Sequence, residues 1–187
     1  ISPLSDVVVG KNYAVVITTN AGLWRYKIGD TIRFTSISPY RIKVSGRTKH
    51  HINAFGEELI IENAEDALRE VCKSTQSEIV DYTAAPIFMK NRDKGSHEWL
   101  IEFKTPPHDL NTFNELLDTK LKSLNSDYEA KRLNSMTLNM PTVHIARERL
   151  FYDWLKQHDK LGGQHKIPRL SNSREYIDEL LQLNTIP

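Results

Sequence analysis

The chain has 187 residues and a mass of 21.6 kDa, with 39% hydrophobic and 26% charged residues. That is the profile of a folded globular protein and excludes a collagen, a disordered tail and a membrane protein. Lys and Arg number 25 against 24 Asp and Glu, a formal net charge of +1, which gives no electrostatic ground for a nucleic-acid or anionic-lipid partner.

The single cysteine, Cys72, permits neither an intrachain disulfide nor a cysteine zinc cluster. No Asn-x-Ser/Thr acceptor occurs, and no apolar run approaches a membrane span. The opening Ile1-Ser2-Pro3-Leu4 has no basic region followed by an apolar stretch, unlike a signal peptide. It also lacks Met, which is taken to mean that an upstream part has been removed.

The first stretch reads as strands. Tyr13–Thr19 is β-branched and apolar, and Asn20-Ala21-Gly22 supplies turn chemistry. A second strand is expected over Leu23–Ile28, closed by Gly29-Asp30, then a third over Thr31–Thr35 and a short one over Arg41–Val44. Residues 1–45 are too few for an independent core and are expected to be the β-rich end of a larger domain. From residue 46 helices and strands alternate. Ile60, Ile61, Ala64, Leu68, Val71 and Cys72 recur at helical spacing, with Asn63 and Asp66 as a start signal. Strands are expected over 79–88 and 97–103, joined by a polar hairpin loop at 91–96.

Leu110, Phe113, Leu117, Leu121 and Leu124 then describe an amphipathic helix. A strand over 143–146 and a helix over 149–158 follow. Gly162-Gly163 breaks the chain, and a last helix runs from about Ser173, with Asn172 and Glu175 spaced as a capping box. Trp99, Phe151 and Trp154 are assigned to the core. The expected class is α/β (α+β): 1–45 from a larger domain, then 46–187 as a small domain whose mixed sheet is covered by helices.

Three local signals stand in one order. Tyr26-Lys27-Ile28-Gly29-Asp30 ends a predicted strand with a glycine, which lets a ligand approach, and a carboxylate able to accept two hydrogen bonds from a vicinal diol. Taken alone it also fits an ordinary Gly-Asp turn. Gly46-Arg47-Thr48-Lys49-His50-His51-Ile52-Asn53-Ala54-Phe55-Gly56 sits where the β part meets the α/β part, a glycine and basic groups suited to a pivot beside a phosphate. A solvated basic turn has the same signature. His50 and His51 are not read as metal ligands, because neighbours on a strand point to opposite faces. Gly162-Gly163-Gln164-His165-Lys166-Ile167-Pro168-Arg169 places a lysine on a glycine-flanked loop, from which it could swing to a phosphate or carboxylate. Most loop lysines are simply exposed.

Together these signals resemble the adenylate-forming enzyme superfamily. Thr18-Thr19-Asn20-Ala21-Gly22-Leu23-Trp24-Arg25-Tyr26-Lys27-Ile28-Gly29-Asp30 is similar to a stretch of the auxin-responsive acyl-acid amido synthetases, and Gln164-His165-Lys166-Ile167-Pro168-Arg169 resembles a segment near their C-terminal end. The unbroken run from Gly46 to Leu59 looks more like the bacterial branch of that family than the plant one. The resemblance spans nearly the whole chain, but only the last third or so of such an enzyme.

The resemblance implies a cytoplasmic ligase that uses ATP to activate a carboxylic acid, releasing pyrophosphate, and then passes the acyl group to an amine such as an amino acid, leaving AMP. Asp30 would hold the ribose hydroxyls, with Tyr26 beside it in the nucleotide site, and Arg47 would contact the ribose or α-phosphate region. Residues 46–187 would be a small mobile domain with a hinge near 46–49, Lys49 would be the hinge residue and Lys166 the catalytic cation. Gly56 would enter the site in the second conformation. Mg²⁺ would accompany the ATP phosphates, with no ligand for it identifiable in the chain. The remaining partner would be the protein's own N-terminal domain. Glu58 departs from the arginine that many adenylating enzymes carry after the loop glycine, and the phosphate loop and most of the acid pocket are absent. The fragment alone is therefore expected to be inactive. Two alternatives remain open: an acyl-coenzyme A ligase, with Lys90, Arg92 and Lys94 as a basic patch, and a non-catalytic nucleotide- or RNA-binding module using Tyr40, Arg41, Lys43, Arg47 and Lys49.

Overall fold

β-Branched and aromatic residues dominate the first 47 positions, and they build one antiparallel sheet in the order β1 (Asn12–Ile17), β2 (Tyr26–Ile37), β3 (Tyr40–Arg47). The computed structural model describes residues 2–47, 51–89, 94–133, 137–162 and 166–185, with Gly46 and Arg47 described by their backbone. The contacts divide the chain into two compact units, residues 1–50 and 51–187.

The expected strands at 23–28 and 31–35 merge in β2, which begins only at Tyr26. Ala14 pairs with Thr31 and Val16 with Lys27, so Ile28, Gly29 and Asp30 stand across from Val15 alone. Such an excess forms a bulge, which bends a strand without ending it. Gly29 takes φ +90° there, a conformation that side chains disfavour. Asp30 is thus a mid-strand residue, not a strand tip. On the other edge the pairing jumps from Thr31–Gly46 to Ile32–Val44, a second irregularity beside the first. Phe34 is the one buried hydrophobic residue of this unit among those described, held edge-on between Tyr13 and Tyr40. Trp24, Tyr26, Ile37, Tyr40, Ile42 and Val44 are exposed.

The second unit is a mixed sheet between two helical layers. Its elements are β4 (His51–Ile52), β5 (Leu59–Ile60), α1 (Ile61–Thr75), β6 (Glu78–Ile87), β7 (Ser96–Thr105), α2 (Leu110–Leu124), α3 (Ser126–Arg132), β8 (Thr142–Ala146), α4 (Leu150–Gln157) and α5 (Glu175–Asn184). Strands β4 and β5 form a small hairpin. The main sheet runs β6-β7-β8, with β7 antiparallel to β6 and parallel to β8. The fold class expected from the sequence is therefore the observed one.

Alternation along β7 sends Trp99 and Ile101 to one face, where they pack with Leu68 and Val71 of α1 and Phe113, Leu117 and Leu121 of α2. Leu100 points the other way, into Leu150, Phe151 and Trp154 of α4 and Ile177 and Leu180 of α5. Trp99, Phe151 and Trp154 are all buried.

The polar residues at the helix ends do specific jobs. Asp109 accepts hydrogen bonds from the N–H groups of Asn111 and Thr112 at 3.0 and 3.2 Å and so starts α2. Asn125 accepts from Tyr128 N–H at 2.8 Å and starts α3, a helix the hydrophobic spacing did not predict because it is only seven residues long. The last helix begins at Glu175 rather than Ser173. Asn172 does not cap it: its side chain is engaged elsewhere, and Glu175 N–H donates to Ser173 Oγ at 3.2 Å instead. Of the loop expected at 91–96, residues 91–93 lie outside the described residues, and Ser96 already belongs to β7. No helix among the described residues is long and apolar enough to cross a membrane.

Candidate functional site

Three of the residues singled out in the sequence belong to the first unit. Tyr26 opens β2, opposite Ile17, and is about half exposed. Four residues on, past the Gly29 bulge, Asp30 is partly exposed and lies in register with Arg47 of β3. The bulge gives this pairing its place: an extra residue re-aims the side chains that follow it. The structure thus brings Asp30 and Arg47 to facing positions on neighbouring strands. Lys49 lies outside the described residues.

Gly56 and Lys166 belong to the second unit. Gly56 is in the loop that joins β4 to β5, at φ +83°. A dense set of polar contacts holds that loop. Glu57 is fully buried; its Oε2 accepts from Phe55 N–H at 2.7 Å and its Oε1 is 2.8 Å from Nε2 of His97 on β7. Burial alone would push the Glu57 carboxyl up, but the hydrogen bond and charge of His97 and the backbone N–H groups outweigh it and hold the carboxyl below its usual range. Asn53 Oδ1 accepts from Glu58 N–H at 3.2 Å, and Asn125 Nδ2 donates to Glu58 C=O at 3.2 Å. The Lys131 ammonium lies against Gly56, 3.3 Å from where a Cβ would stand.

Lys166 is exposed at the start of a strap, residues 166–172, that lies along the free edge of β6. Thr83 Oγ1 donates to Pro168 C=O at 2.7 Å, Ala84 N–H to Arg169 C=O at 2.8 Å, and Ser171 N–H to Ala84 C=O at 3.0 Å. Arg169 is ion-paired to Glu65 of α1 and covers the ring of Tyr82, 5.3 Å from its centroid. Beside it, burial pushes the Asp81 carboxyl up, while the charges of Arg169 and Lys166 act in the opposite sense. The far end of the strap reaches the glycine loop. Asn172 Oδ1 accepts from Asn53 N–H at 2.8 Å and Asn172 Nδ2 donates to His51 C=O at 3.1 Å. The strap that begins at Lys166 and the segment that leads into the Gly56 loop are thereby joined by hydrogen bonds.

Sequence reasoning missed Glu57, His97, Asn125, Lys131 and the true partners of Asn172. The signal available was weak: a Glu directly after a loop glycine, and a His inside an apolar strand. Either residue is more often ordinary than functional, and only the fold pairs them. Among the described residues no group of three or more His, Cys, Asp and Glu side chains is placed to hold a metal ion.

This architecture recurs in a known protein. The chain superposes on the solved structure of the GH3.15 acyl acid amido synthetase with a TM-score of 0.75 and 20% identity, over 98% of this chain and 34% of that one. In sequence it is similar to the probable indole-3-acetic acid-amido synthetase GH3.1 of Arabidopsis thaliana, 26% identical over 95% of this chain and 32% of that protein. It is also similar to the jasmonoyl-L-amino acid synthetase GH3.5 of Oryza sativa subsp. japonica, 27% identical over 97% of this chain and 32% of that protein. The chain thus spans about a third of the length of the relatives it matches. Residues 1–47 match the GH3 family central domain and residues 62–175, more than half the chain, match the GH3 family C-terminal domain; the chain belongs to the GH3 family.

Proposed function

We propose that this chain is the C-terminal part of an ATP-dependent acyl-acid amido synthetase, a cytoplasmic ligase that adenylates a carboxylic acid and passes the acyl group to an amino acid. One observation carries the reading. Residues similar to two successive domains of the same family occur along this chain, the central domain over 1–47 and the C-terminal domain over 62–175. The relatives' names, indole-3-acetic acid-amido and jasmonoyl-amino acid synthetase, give the first acids to try. Both relatives are plant proteins, so the bacterial-type assignment rests on the unbroken Gly46–Leu59 run alone. Residues 1–45 belong to the large nucleotide-binding domain in this proposal and 46–187 to the small mobile one, turning about Lys49. The exposed apolar residues of the first unit support a further element of it, that the N-terminal part of the full protein packs there.

The roles follow from the chemistry of the side chains. Asp30 accepts the ribose hydroxyls of ATP, as a carboxylate can from a vicinal diol. Tyr26 and Arg47 flank the nucleotide. Lys166 places a cation where negative charge develops as the carboxylate attacks the α-phosphorus and pyrophosphate leaves. Gly56 enters for the second step, in which the amine attacks the acyl carbon and AMP leaves. Mg²⁺ would neutralise the ATP phosphates; no step is assigned to it through residues of this chain.

The test is acid-dependent exchange of pyrophosphate into ATP by the full-length protein, with indole-3-acetate and jasmonate. Lys166→Ala is expected to slow exchange about a hundredfold with the KM for ATP nearly unchanged, and Asp30→Ala to raise that KM. Equal losses of ATP affinity in both variants would overturn the roles. No exchange with any acid would overturn the reaction. The isolated chain is expected to show no steady pyrophosphate release. An acyl-coenzyme A ligase or a non-catalytic nucleotide- or RNA-binding module is not favoured by the relatives. The former would require coenzyme A to replace the amino acid in the same assay, the latter a steep loss of RNA binding with salt.

A further inference from the structure

His97 is buried in the second unit, and its hydrogen-bond partner lies in the glycine loop. We propose that His97, acting through Glu57, is a positioning residue that holds the Gly56 loop in the shape used for acyl transfer to the amine. The proposal deepens the amido synthetase reading and rests on it for the identity of the second step.

The geometry is specific. His97 sits on β7, the central strand of the sheet, and is 1% exposed. Its Nε2 is 2.8 Å from Glu57 Oε1. The second oxygen of the same carboxylate accepts the Phe55 N–H, so one buried carboxylate ties the loop on both sides of Gly56 to the central strand of the sheet. The other His97 nitrogen, Nδ1, is buried with no hydrogen-bond partner among the described residues. An ionised Glu57 carboxylate can only accept, so Nε2–H donates to it, and this is the ring's one hydrogen bond among the described residues. The Tyr128 ring packs on the imidazole with centroids 5.5 Å apart and fixes its plane. Tyr128 belongs to α3, as does Lys131, whose ammonium lies against Gly56. A core histidine needed only for packing would not require a buried carboxylate from a loop, because a buried charge is costly unless paired. The arrangement instead fixes a loop whose backbone must be held within a fraction of an ångström to act on a reacting centre.

Two measurements on the full-length protein test this. The first is hydrogen exchange at the Phe55 and Gly56 amides, in wild type, His97→Leu, His97→Gln and Glu57→Gln. His97→Leu is expected to speed exchange in the loop about tenfold or more while the amides of α1 and α2 keep their protection. His97→Gln, which retains a donor near the Nε2 position, is expected to restore the wild-type pattern. The second compares the two half-reactions. His97→Leu is expected to slow amide formation about tenfold to a hundredfold, with pyrophosphate exchange within about twofold of wild type. An unchanged loop in folded His97→Leu protein overturns the proposal, as does a parallel loss in both half-reactions. Should His97→Leu fail to fold, Glu57→Gln carries the same two tests. A wild-type protein that shows no pyrophosphate exchange with any acid would refute the amido synthetase reading, while the exchange data at Phe55 would still decide whether His97 holds the loop.

Discussion

Replacing Asp118 by Ala should destabilise the second unit more than any change at its surface. Asp118 lies on α2 with a side chain only 5% exposed, and four donors converge on it. Tyr128 O–H reaches Oδ1 at 2.8 Å, Arg132 Nε reaches Oδ1 at 2.7 Å and Nη2 reaches Oδ2 at 2.8 Å, and the Lys122 ammonium is 2.5 Å from Oδ2. Arg132 is itself 8% exposed and also donates to Leu138 C=O at 2.9 Å. Removing the carboxylate takes the Asp118 partner from a buried guanidinium and the acceptor from a buried phenol. Breaking a buried pair by deleting one member costs about 3–5 kcal/mol. For a domain of this size 1 kcal/mol moves Tm by about 3–5 °C, so a fall of about 10–20 °C is expected.

Thermal unfolding of the chain followed by circular dichroism measures it, with a double-mutant cycle against Arg132→Met. The double variant should be less destabilised than the sum of the two single ones, because it removes both buried charges together. Lys122→Ala, which removes a partly exposed partner, should cost under about 1 kcal/mol. A folded Asp118→Ala protein within about 1 kcal/mol of wild type would refute the reasoning.

The same carboxylate makes stability depend on pH. Burial would raise the Asp118 pKa, but the hydrogen bonds from Arg132, Lys122 and Tyr128 outweigh it and hold the carboxyl low, and Glu57 is held low by His97 in the same way. Groups depressed in the folded state stabilise it fully above their ordinary value, about 4, and lose that contribution as pH falls through the folded value. Urea midpoints should therefore drop below about pH 4, and Asp118→Asn should flatten that drop; an Asp118→Asn profile parallel to wild type would be the contrary result. Gly56→Ala should cost about 1–2 kcal/mol, because φ +83° is strained for a side chain. The added Cβ meets only the flexible tip of Lys131, so Lys131→Ala in the same protein should not recover the loss. Recovery would show that crowding, not backbone strain, sets the cost.

Both the sequence and the tertiary structure contribute to this account, at different ranges. The helices at 61–75 and 110–124 follow from apolar residues spaced three and four apart, which any helix must bury on one side. Strands β6 and β7 follow from β-branched and aromatic runs bounded by polar residues. The ordered motifs around Asp30, Gly56 and Lys166 were legible because a local run of side chains is enough to carry them. Two errors were local too: α3 is too short for periodicity to announce, and the Gly29-Asp30 pair reads as a turn until the bulge opposite Val15 shows the strand running on.

What the sequence determined by itself was thus the type of most elements and the identity of the polar residues available to a site. Only the tertiary structure decided what those residues touch. Asn172 has the spacing of a helix cap, yet it binds Asn53 and His51 because the strap along β6 delivers it there. Glu57 and His97 are 40 positions apart, Asp118 and Arg132 are 14 apart, and no local pattern links either pair. Their meeting depends on sheet order and on how α2 and α3 pack, which follow from burying the apolar surface of the whole unit at once.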